Sequence, residues 1–373
     1  MRIPYGHQWI DQKDVKAVVK TLGSEWLTQG PKIEEFEKAI ARYCKTRYGV
    51  AFSSGTAALH AAYAAAGIGL GDEVITTPLT FVATANTVIF CGAKPVFVDI
   101  EEDTLNIDPK LIEKAITKKT KVIAPVDFAG HPCDYEAIFK IAKKHKLLVI
   151  EDASHAIGSE YKGKKIGSFG DMTILSFHPV KTITTGEGGM VLTNNKEFYE
   201  NLKTFRHHQI TKKPKKGGWY YEIRKPGYNY RITDFQCALG LSQLAKIGKF
   251  IKRRRDIVKE YNKAFRGIEG IIIPKEKDYA KSAWHLYIIQ LTRVDRKKIF
   301  SDLRKNGIGV TVHYLPLNLQ PFYQKEFGYK VGDFPVAEKY YKRAITLPLF
   351  PKMASRDVKY VIKTVKALMK KYE

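Results

Sequence analysis

The sequence has few cysteines and no long apolar run. These two absences argue against a disulfide-bonded or zinc-binding protein and against a membrane protein. Its four cysteines lie far apart with no CxxC or His–Cys spacing, so they indicate neither a disulfide framework nor a zinc site. No uninterrupted apolar stretch approaches the ~20 residues that span a bilayer. The N-terminal segment also lacks the apolar core of a signal peptide. We therefore expect a cytoplasmic protein with no metal site and no membrane partner.

Acidic residues are also scarce, since 38 Asp and Glu face 63 Lys and Arg, for a formal net charge of +25. Such a charge is compatible with binding to nucleic acid. The basic residues, however, are spread through predicted helices and are concentrated only at 211–218, a predicted loop, and at 252–255. No recognition motif accompanies them, so we expect a lysine-rich surface that helps to attract anionic ligands, and no nucleic-acid partner. Nucleic-acid binding is the alternative, and it predicts salt-sensitive association.

The first half of the chain has the pattern of an α/β protein. Between residues 50 and 194, short apolar strands alternate with helical stretches, which predicts right-handed crossovers and a mostly parallel sheet covered on both faces. The predicted strands are 49–53, 73–77, 95–100, 121–127, 147–152, 173–177 and 190–193. The predicted helices are 11–22, 33–43, 57–66, 81–90, 109–117 and 135–145.

The second half has a different pattern and predicts a smaller α+β domain. A helical stretch over 233–265 leads into it, with Gly240 and Gly248 as candidate bends. The predicted elements beyond it are strands 271–273, 285–291 and 310–314 and helices 296–306, 335–343 and 356–371. We place the domain boundary after residue 245, so that the large domain spans 1–245 and the small domain 246–373.

Lys181 is the most informative single residue. It lies in a turn rich in Thr and Gly between two apolar strands, in the segment Ser-Phe-His-Pro-Val-Lys-Thr-Ile-Thr-Thr-Gly-Glu-Gly-Gly. A lysine held on a tight loop beside buried strands can be desolvated, and desolvation disfavours its ammonium form and frees a nucleophilic amine for Schiff-base chemistry. The alternative is that Lys181, like most lysines of this chain, is a solvated surface charge.

Asp152 follows the apolar run Leu-Leu-Val-Ile at 147–150, which is typical of a buried parallel strand that ends in a loop. Ligands of open α/β sheets bind just beyond the carboxyl ends of such strands. An aspartate in that place can keep a pyridine nitrogen protonated, which makes the ring an electron sink. The alternative is an ordinary helix-capping or strand-end aspartate.

A third element begins at Ala51, where a short strand runs through Ser54 and Gly55 into an alanine-rich helical stretch. Backbone amides at such a helix start, with small side chains around them, form a cradle for a phosphate. The alternative is a helix with a conventional Ser or Thr cap.

These elements belong to an ordered set of motifs that resembles the sugar-nucleotide aminotransferases of the DegT family. The motifs are Ser-Gly-Thr-Ala-Ala at 54–58, Thr-Pro-Leu-Thr-Phe-Val-Ala-Thr-Ala-Asn at 77–86, Glu-Asp-Ala-Ser-His at 151–155, Phe-His-Pro-Val-Lys at 177–181 and Gly-Tyr-Asn-Tyr-Arg at 227–231. The resemblance covers nearly the whole chain. It implies the fold-type I, aspartate aminotransferase-like α/β fold with a large, mostly parallel sheet domain, and it implies pyridoxal 5′-phosphate (PLP) as cofactor.

The resemblance also implies a substrate class. The segment around Lys181 resembles the branch that uses UDP-linked sugars, and more narrowly the pseudaminic-acid type of pathway. The implied reaction transfers an amino group, with L-glutamate as donor, to the keto carbon of a UDP-linked 4-keto-6-deoxy-L-N-acetyl amino sugar. A 3-aminotransferase and a perosamine-type GDP-sugar enzyme remain alternatives. A sugar dehydratase of the family typically has His at the lysine position, so Lys181 argues against it.

The resemblance assigns residues to the cofactor. It implies that Lys181 forms the Schiff base and moves the proton, that Asp152 pairs with the ring nitrogen, and that His155 lies beside the ring. For His155, a histidine at a helix start that bonds to the backbone is the alternative. Phe81 would stack on the ring, although a core phenylalanine is the alternative. The implied phosphate ligands are Thr56, Ala57, Ser176 and, from the second subunit of a homodimer with shared active sites, Asn229.

The assignments on the sugar side rest on the same resemblance, and aromatic and histidine side chains suit a base and a sugar. For two of them, Tyr5 and Trp26, N-terminal packing is the alternative. Glu187 is expected to hold the turn and not to act in catalysis. The implied substrate-lining residues are Tyr5, Trp26, Thr28, His178, His313 and Tyr314.

Overall fold

The computed structural model describes residues 3–223 and 225–372. Its helices are α1 (Gln12–Leu22), α2 (Pro31–Cys44), α3 (Gly55–Ala65), α4 (Ala83–Phe90), α5 (Pro109–Ala115), α6 (Tyr135–His145), α7 (Lys196–Arg206), α8 (Asp234–Leu244), α9 (Ile247–Phe265), α10 (Arg296–Lys305), α11 (Pro321–Phe327), α12 (Pro335–Arg343) and α13 (Ser355–Tyr372). Its strands are β1 (Tyr48–Phe52), β2 (Glu73–Thr76), β3 (Lys94–Phe97), β4 (Thr120–Ile123), β5 (Leu148–Asp152), β6 (Glu160–Tyr161), β7 (Lys164–Lys165), β8 (Met172–Ser176), β9 (Gly189–Thr193), β10 (Ile210–Lys212), β11 (Tyr221–Ile223), β12 (Ile271–Ile272), β13 (Ala280–Lys281), β14 (Tyr287–Leu291) and β15 (Ala344–Leu347).

A seven-stranded sheet forms the centre of the larger part, with strand order β1-β9-β8-β5-β4-β2-β3. Only β9 runs antiparallel to its neighbours, β1 and β8, and the other pairs are parallel. The predicted mostly parallel α/β sheet is therefore confirmed. Because β9 is antiparallel to both β1 and β8, those two strands point the same way, and their carboxyl ends meet that of β5 at one edge of the sheet.

Both faces of this sheet are buried, as the apolar runs of its strands predict. Alternate residues of each strand face opposite sides. Ile75, Val149 and Leu175 pack into one core cluster with α2 and α6. Their neighbours Val74 and Ile150 pack into a second cluster with α3 and α7. The period of two along these strands thus places helices on both faces of the sheet.

The C-terminal part contains a separate antiparallel sheet, β12-β14-β15, whose core is closed by α9, α10 and α13. The predicted strand 310–314 is wrong. That segment forms a single bridge between Thr311 and Thr346 and then leaves the sheet, while β15 supplies the third strand. The domain boundary after residue 245 stays a prediction.

The predicted helix over 233–265 is broken in a different place from the one we expected. Helix α8 ends at Leu244 and α9 begins at Ile247, and neither Gly240 nor Gly248 forms the break. Gly240 is a packing residue, because a β-carbon there would lie 2.6 Å from a ring carbon of Phe36. The lysine-rich segment predicted as a loop also differs from expectation, since β10 and β11 form an antiparallel hairpin around it.

Two further observations concern the expectations about membranes and metal ions. None of the helices within residues 3–223 and 225–372 is long and apolar enough to cross a membrane. The same residues contain no group of three or more His, Cys, Asp and Glu side chains placed to hold a metal ion. The cytoplasmic location stays a prediction.

Candidate active site

A cavity of about 510 Å³ opens at the carboxyl edge of the large sheet. It lies where β5 and β8 end and where the chain passes from β1 into α3, and residues 313 and 314 close it from the C-terminal side. This is the place where open α/β sheets bind ligands. Ten of the residues predicted for the site line it: Tyr5, Thr56, Phe81, Asp152, His155, Ser176, His178, Lys181, His313 and Tyr314.

Lys181 is half-buried on the wall of the cavity. Its backbone N–H donates to the carbonyl of His178 at 2.9 Å, which tightens the turn that carries it. Desolvation lowers the pKa of Lys181 from 10.5 to about 8, although the charge of Asp152 acts in the opposite direction. Roughly a tenth of the amine is therefore neutral at pH 7. The structure supports the desolvated amine and contradicts the alternative of a solvated surface lysine.

Asp152 is the last residue of β5, and its carboxylate is held from two sides. The hydroxyl of Thr84 donates to Oδ2 at 2.7 Å, and the backbone N–H of Ser154 donates to Oδ1 at 3.1 Å. The second bond is the strand-end capping that the alternative interpretation expected. Both occur together, so the capping bond fixes a carboxylate that also faces the cavity.

The start of α3 has backbone amides and small side chains where the sequence predicts a cradle for a phosphate, with one difference in position. Ser54 caps the helix, and its Oγ accepts the backbone N–H of Ala57 at 3.1 Å. Ala57 does not line the cavity, and its amide is already bonded. The amides of Gly55 and Thr56 come before Ala58, whose N–H is the first to bond within the helix (to the Ser54 carbonyl), and they have no partner among the described residues. The free donors are therefore one residue earlier than expected.

Several buried imidazoles form the deep end of the cavity. The Nε2 of His155 lies 3.4 Å from the hydroxyl oxygen of Tyr314, and its ring lies 4.4 Å from the ring of His285. The Nδ1 atoms of His155 and His285 are buried and have no partner among the residues that the structure describes. Burial, reinforced by the charge of Lys181, lowers the pKa of both imidazoles well below the usual value, and that of His313 to about 3. These imidazoles are neutral at physiological pH.

Aromatic rings form part of the rim of the cavity. Phe81 is 55% exposed, so the alternative of a core phenylalanine is wrong. Its ring centroid lies 6.0 Å from that of Tyr314, and the ring of Tyr5 lies 5.6 Å from that of His313.

Glu187 also reaches the cavity with its side chain. Its backbone carbonyl accepts a hydrogen bond at 2.7 Å from the hydroxyl of Thr185, two residues earlier in the same turn. The expected turn-holding role of Glu187 is thus carried by its backbone.

Four predicted site residues do not line this cavity: Ala57, Trp26, Thr28 and Asn229. Trp26 borders a different groove together with Asp234, and it is 52% exposed. The carboxylate of Asp234 accepts the N–H groups of Gly30 and Lys32 at 2.8 and 2.9 Å, which holds the segment of Trp26 and Thr28 against α8.

Asn229 forms a β-bridge with His207 and does not line the cavity. The role of Asn229 in a second subunit stays a prediction.

Sequence reasoning missed several residues that line the cavity. Among them, Thr80 and Thr84 lie within the quoted motif at 77–86 without having been assigned a role, and His285 lies in a segment interpreted only as a strand. Thr84 lies within a quoted motif, so its hydroxyl was available as a signal. His285 had no local signal, because only the folded chain brings it against His155.

The whole chain is similar to sugar aminotransferases. A model of the DegT/DnrJ/EryC1/StrS aminotransferase family matches residues 8–366. The UDP-4-amino-4,6-dideoxy-N-acetyl-β-L-altrosamine transaminase of Campylobacter jejuni is 42% identical over 377 residues, which cover 99% of this chain and 98% of that protein.

Two solved structures share the fold. PseC of Helicobacter pylori, an aminotransferase involved in the biosynthesis of pseudoaminic acid, superposes with a TM-score of 0.94 at 35% identity, covering 100% of each chain. Spr1654 of Streptococcus pneumoniae, described as a sugar aminotransferase, gives 0.94 in its PLP-form at 36% identity, covering 100% of this chain and 99% of that one.

Proposed function

The chain belongs to the DegT/DnrJ/EryC1/StrS aminotransferase family, and on that premise we propose that it aminates the 4-keto carbon of a UDP-linked 6-deoxy amino sugar. It is a PLP-dependent sugar aminotransferase. The proposed substrate is the UDP-4-keto-6-deoxy-L-N-acetyl amino sugar of a pseudaminic-acid type pathway, with L-glutamate as donor. The Campylobacter and Helicobacter relatives support this choice of sugar, because their names describe that chemistry.

The residues of the cavity fit PLP. Lys181 supplies a partly neutral amine, Asp152 supplies a negative charge for the ring nitrogen, and the unpartnered amides of Gly55 and Thr56 suit the phosphate. When bound, PLP acts as an electron sink for the carbon that loses its proton.

Three further residues are proposed to contact the cofactor, since each borders the cavity. We propose Ser176 as a phosphate ligand, Phe81 as the stacking ring and His155 as the neighbour of the ring's phenolic oxygen.

Lys181 is the proposed catalytic residue. With the cofactor and substrate bound, its Nζ would hold the proton that moves in transamination, accepting it as general base and returning it as general acid. A pKa near the working pH suits both roles, and desolvation supplies it here. The imidazoles of His155 and His313 are neutral and add no positive charge beside Nζ, whereas the carboxylate of Asp152 in the same cavity favours its protonated form.

On the substrate side, we propose that Tyr5, His178, His313 and Tyr314 contact the sugar nucleotide, since all of them border the cavity. Trp26 and Thr28 lie elsewhere on this chain, so they reach a substrate only if a second subunit presents them. The same argument applies to Asn229. We therefore propose a homodimer with shared active sites.

The observation that carries the proposal is the desolvated amine of Lys181 in the same cavity as the Asp152 carboxylate. The test is to incubate the PLP-loaded protein and L-glutamate with UDP- and GDP-linked 4-keto and 3-keto sugars. We expect amination at C4 of the UDP sugar, read from the carbon and nitrogen connectivity by NMR. Amination at C3, or of the GDP sugar alone, would establish one of the alternatives. A dehydrated product without nitrogen would contradict amino transfer.

A further inference from the structure

The hydroxyl of Thr84 is bonded to a carboxylate of another element of the cavity. Its Oγ1 lies 2.7 Å from Oδ2 of Asp152, which is 68 positions further along the chain. Thr84 is fully buried near the start of α4, and Asp152 is 5% exposed at the end of β5. Both residues line the cavity. The bond therefore ties helix α4 to the carboxylate that is proposed to serve the cofactor.

The direction of this bond follows from chemistry. An ionised carboxylate can only accept, so the Thr84 hydroxyl must donate its proton to Asp152. Its oxygen is then free to accept, and Thr80 Oγ1 lies 2.8 Å away. Thr80 thus donates to Thr84, which donates to Asp152. Each bond in such a chain polarises the next in a water-poor interior.

A comparison within α4 shows that this is not ordinary behaviour for a helical threonine. Thr87, equally buried in the same helix, bonds back to the carbonyl of Ala83 at 2.8 Å, the usual local partner of a threonine four residues later. Thr84 bonds instead to a residue of another element. The hydroxyl of Thr84 therefore stabilises the Asp152 carboxylate and makes no bond to a backbone carbonyl of its own helix.

We propose that Thr84 is a positioning residue that holds the Asp152 carboxylate directed at the ring nitrogen of PLP, and that Thr80 orients the Thr84 hydroxyl. The inference rests on the role proposed above for Asp152. Hydrogen bonds to a carboxylate favour its charged form, and a charged partner keeps the ring nitrogen protonated. Without the hydroxyl, Oδ2 of Asp152 is buried with no protein donor, and the carboxylate is held only by the Ser154 N–H at Oδ1.

The test uses Thr84→Val, which removes the hydroxyl at nearly constant shape, with Thr84→Ser as rescue. Thr87→Val is the matched control, since it removes a buried hydroxyl from the same helix. Two properties are measured: the affinity of the apoprotein for PLP by fluorescence quenching, and the ¹⁵N chemical shift of bound PLP labelled at the ring nitrogen.

For Thr84→Val we expect a Kd for PLP about tenfold higher or more, as for a lost hydrogen bond to a charged group. The ¹⁵N shift should move towards that of neutral pyridine. Thr84→Ser and Thr87→Val should stay close to wild type in both.

A folded Thr84→Val protein with the wild-type ¹⁵N shift would overturn the inference, as would an equal change in Thr87→Val. If Thr84→Val does not fold, Thr80→Val is the test variant in its place. It keeps the hydrogen bond from Thr84 to Asp152 and removes only the Thr80 hydroxyl that orients Thr84. It should move the ¹⁵N shift in the same direction by a smaller amount, and an unchanged shift would overturn the inference. Wild-type protein that binds PLP but does not transaminate would instead contradict the proposed function.

Discussion

Gly189, the first residue of β9, lies directly against Ser54, the residue that caps α3. A β-carbon on Gly189 would come 2.4 Å from the carbonyl oxygen of Ser54. No real side chain approaches a backbone oxygen so closely, so only glycine allows β9 to pass this close to the helix cap. The contact sets the position of the first turn of α3, and that turn borders the cavity with the amides of Gly55 and Thr56.

We expect Gly189→Ala to weaken cofactor binding as well as stability. The added carbon must push the first turn of α3 away from β9, at a cost of about 1–3 kcal/mol in the free energy of unfolding. The displaced amides should raise the Kd for PLP. Urea denaturation and PLP titration measure the two effects. Gly69→Ala is the control, because a β-carbon at Gly69 meets nothing within 4 Å. Equal behaviour of the two variants would contradict the close contact.

Arg254 on α9 is fully buried and holds together the segments behind the cavity. Its Nη1 donates to the carbonyls of Trp284, His285 and Leu349 at 3.3, 3.1 and 2.9 Å. Desolvation lowers the pKa of Arg254 to about 10, so the guanidinium is charged at neutral pH.

Arg254→Met should destabilise the protein by about 3 kcal/mol or more, although it removes a desolvated charge, because it leaves three buried carbonyls without a donor. Lys259→Met, an exposed change on the same helix, should be within about 0.5 kcal/mol of wild type. Thermal or urea unfolding of the two variants provides the measurement. If Arg254→Met proved as stable as wild type or more so, the burial penalty of the guanidinium would outweigh its three bonds.

The depressed pKa of Lys181 predicts how the stability of the apoprotein depends on pH. The folded value of about 8 lies below the unfolded value of 10.5, so unfolding takes up a proton between these two pH values. Stability from this group therefore rises with pH across that window. At pH 7 the desolvated ammonium destabilises the apoprotein, and Lys181→Met should be more stable than wild type by up to roughly 3 kcal/mol.

The advantage of Lys181→Met should shrink between pH 8 and pH 10.5, as the folded wild type loses its proton. Urea denaturation of both apoproteins at several pH values tests this. The exposed Lys164→Met is the control and should show no such trend. A constant difference across the window would contradict a desolvated amine at position 181.

The shared active site can be tested by mixing subunits. Lys181→Ala and Asn229→Ala proteins should each be inactive or weakly active. If Asn229 acts across the dimer, random reassociation restores about a quarter of the sites, since each mixed dimer has one site with both residues intact. Activity is measured after mild dissociation and mixing, with each variant treated alone as control. The absence of any recovery would show that Asn229 acts within its own subunit or not at all.

The sequence predicted site residues best where the element that positions them, such as the end of a strand, is adjacent in the sequence. Asp152 is the last residue of a buried strand and Lys181 follows another within a few residues, so the local pattern placed both at the edge of the sheet. The strand at Ala344–Leu347 was missed because its four residues directly follow α12, and the segment 310–314 was taken for a strand in its place. His285 and the Thr84–Asp152 bond depend on contacts between distant segments, which no local pattern contains.

The central claim is that the side-chain nitrogen of Lys181 bonds covalently to PLP. The most direct measurement is the absorbance spectrum of the PLP-loaded protein before and after L-glutamate, followed by borohydride reduction and peptide mass mapping. We predict a visible band that glutamate bleaches, and a reduced cofactor on the peptide that contains Lys181, with Lys181→Ala retaining only noncovalent PLP. A reduced adduct on another lysine, or one retained in Lys181→Ala, would contradict the account.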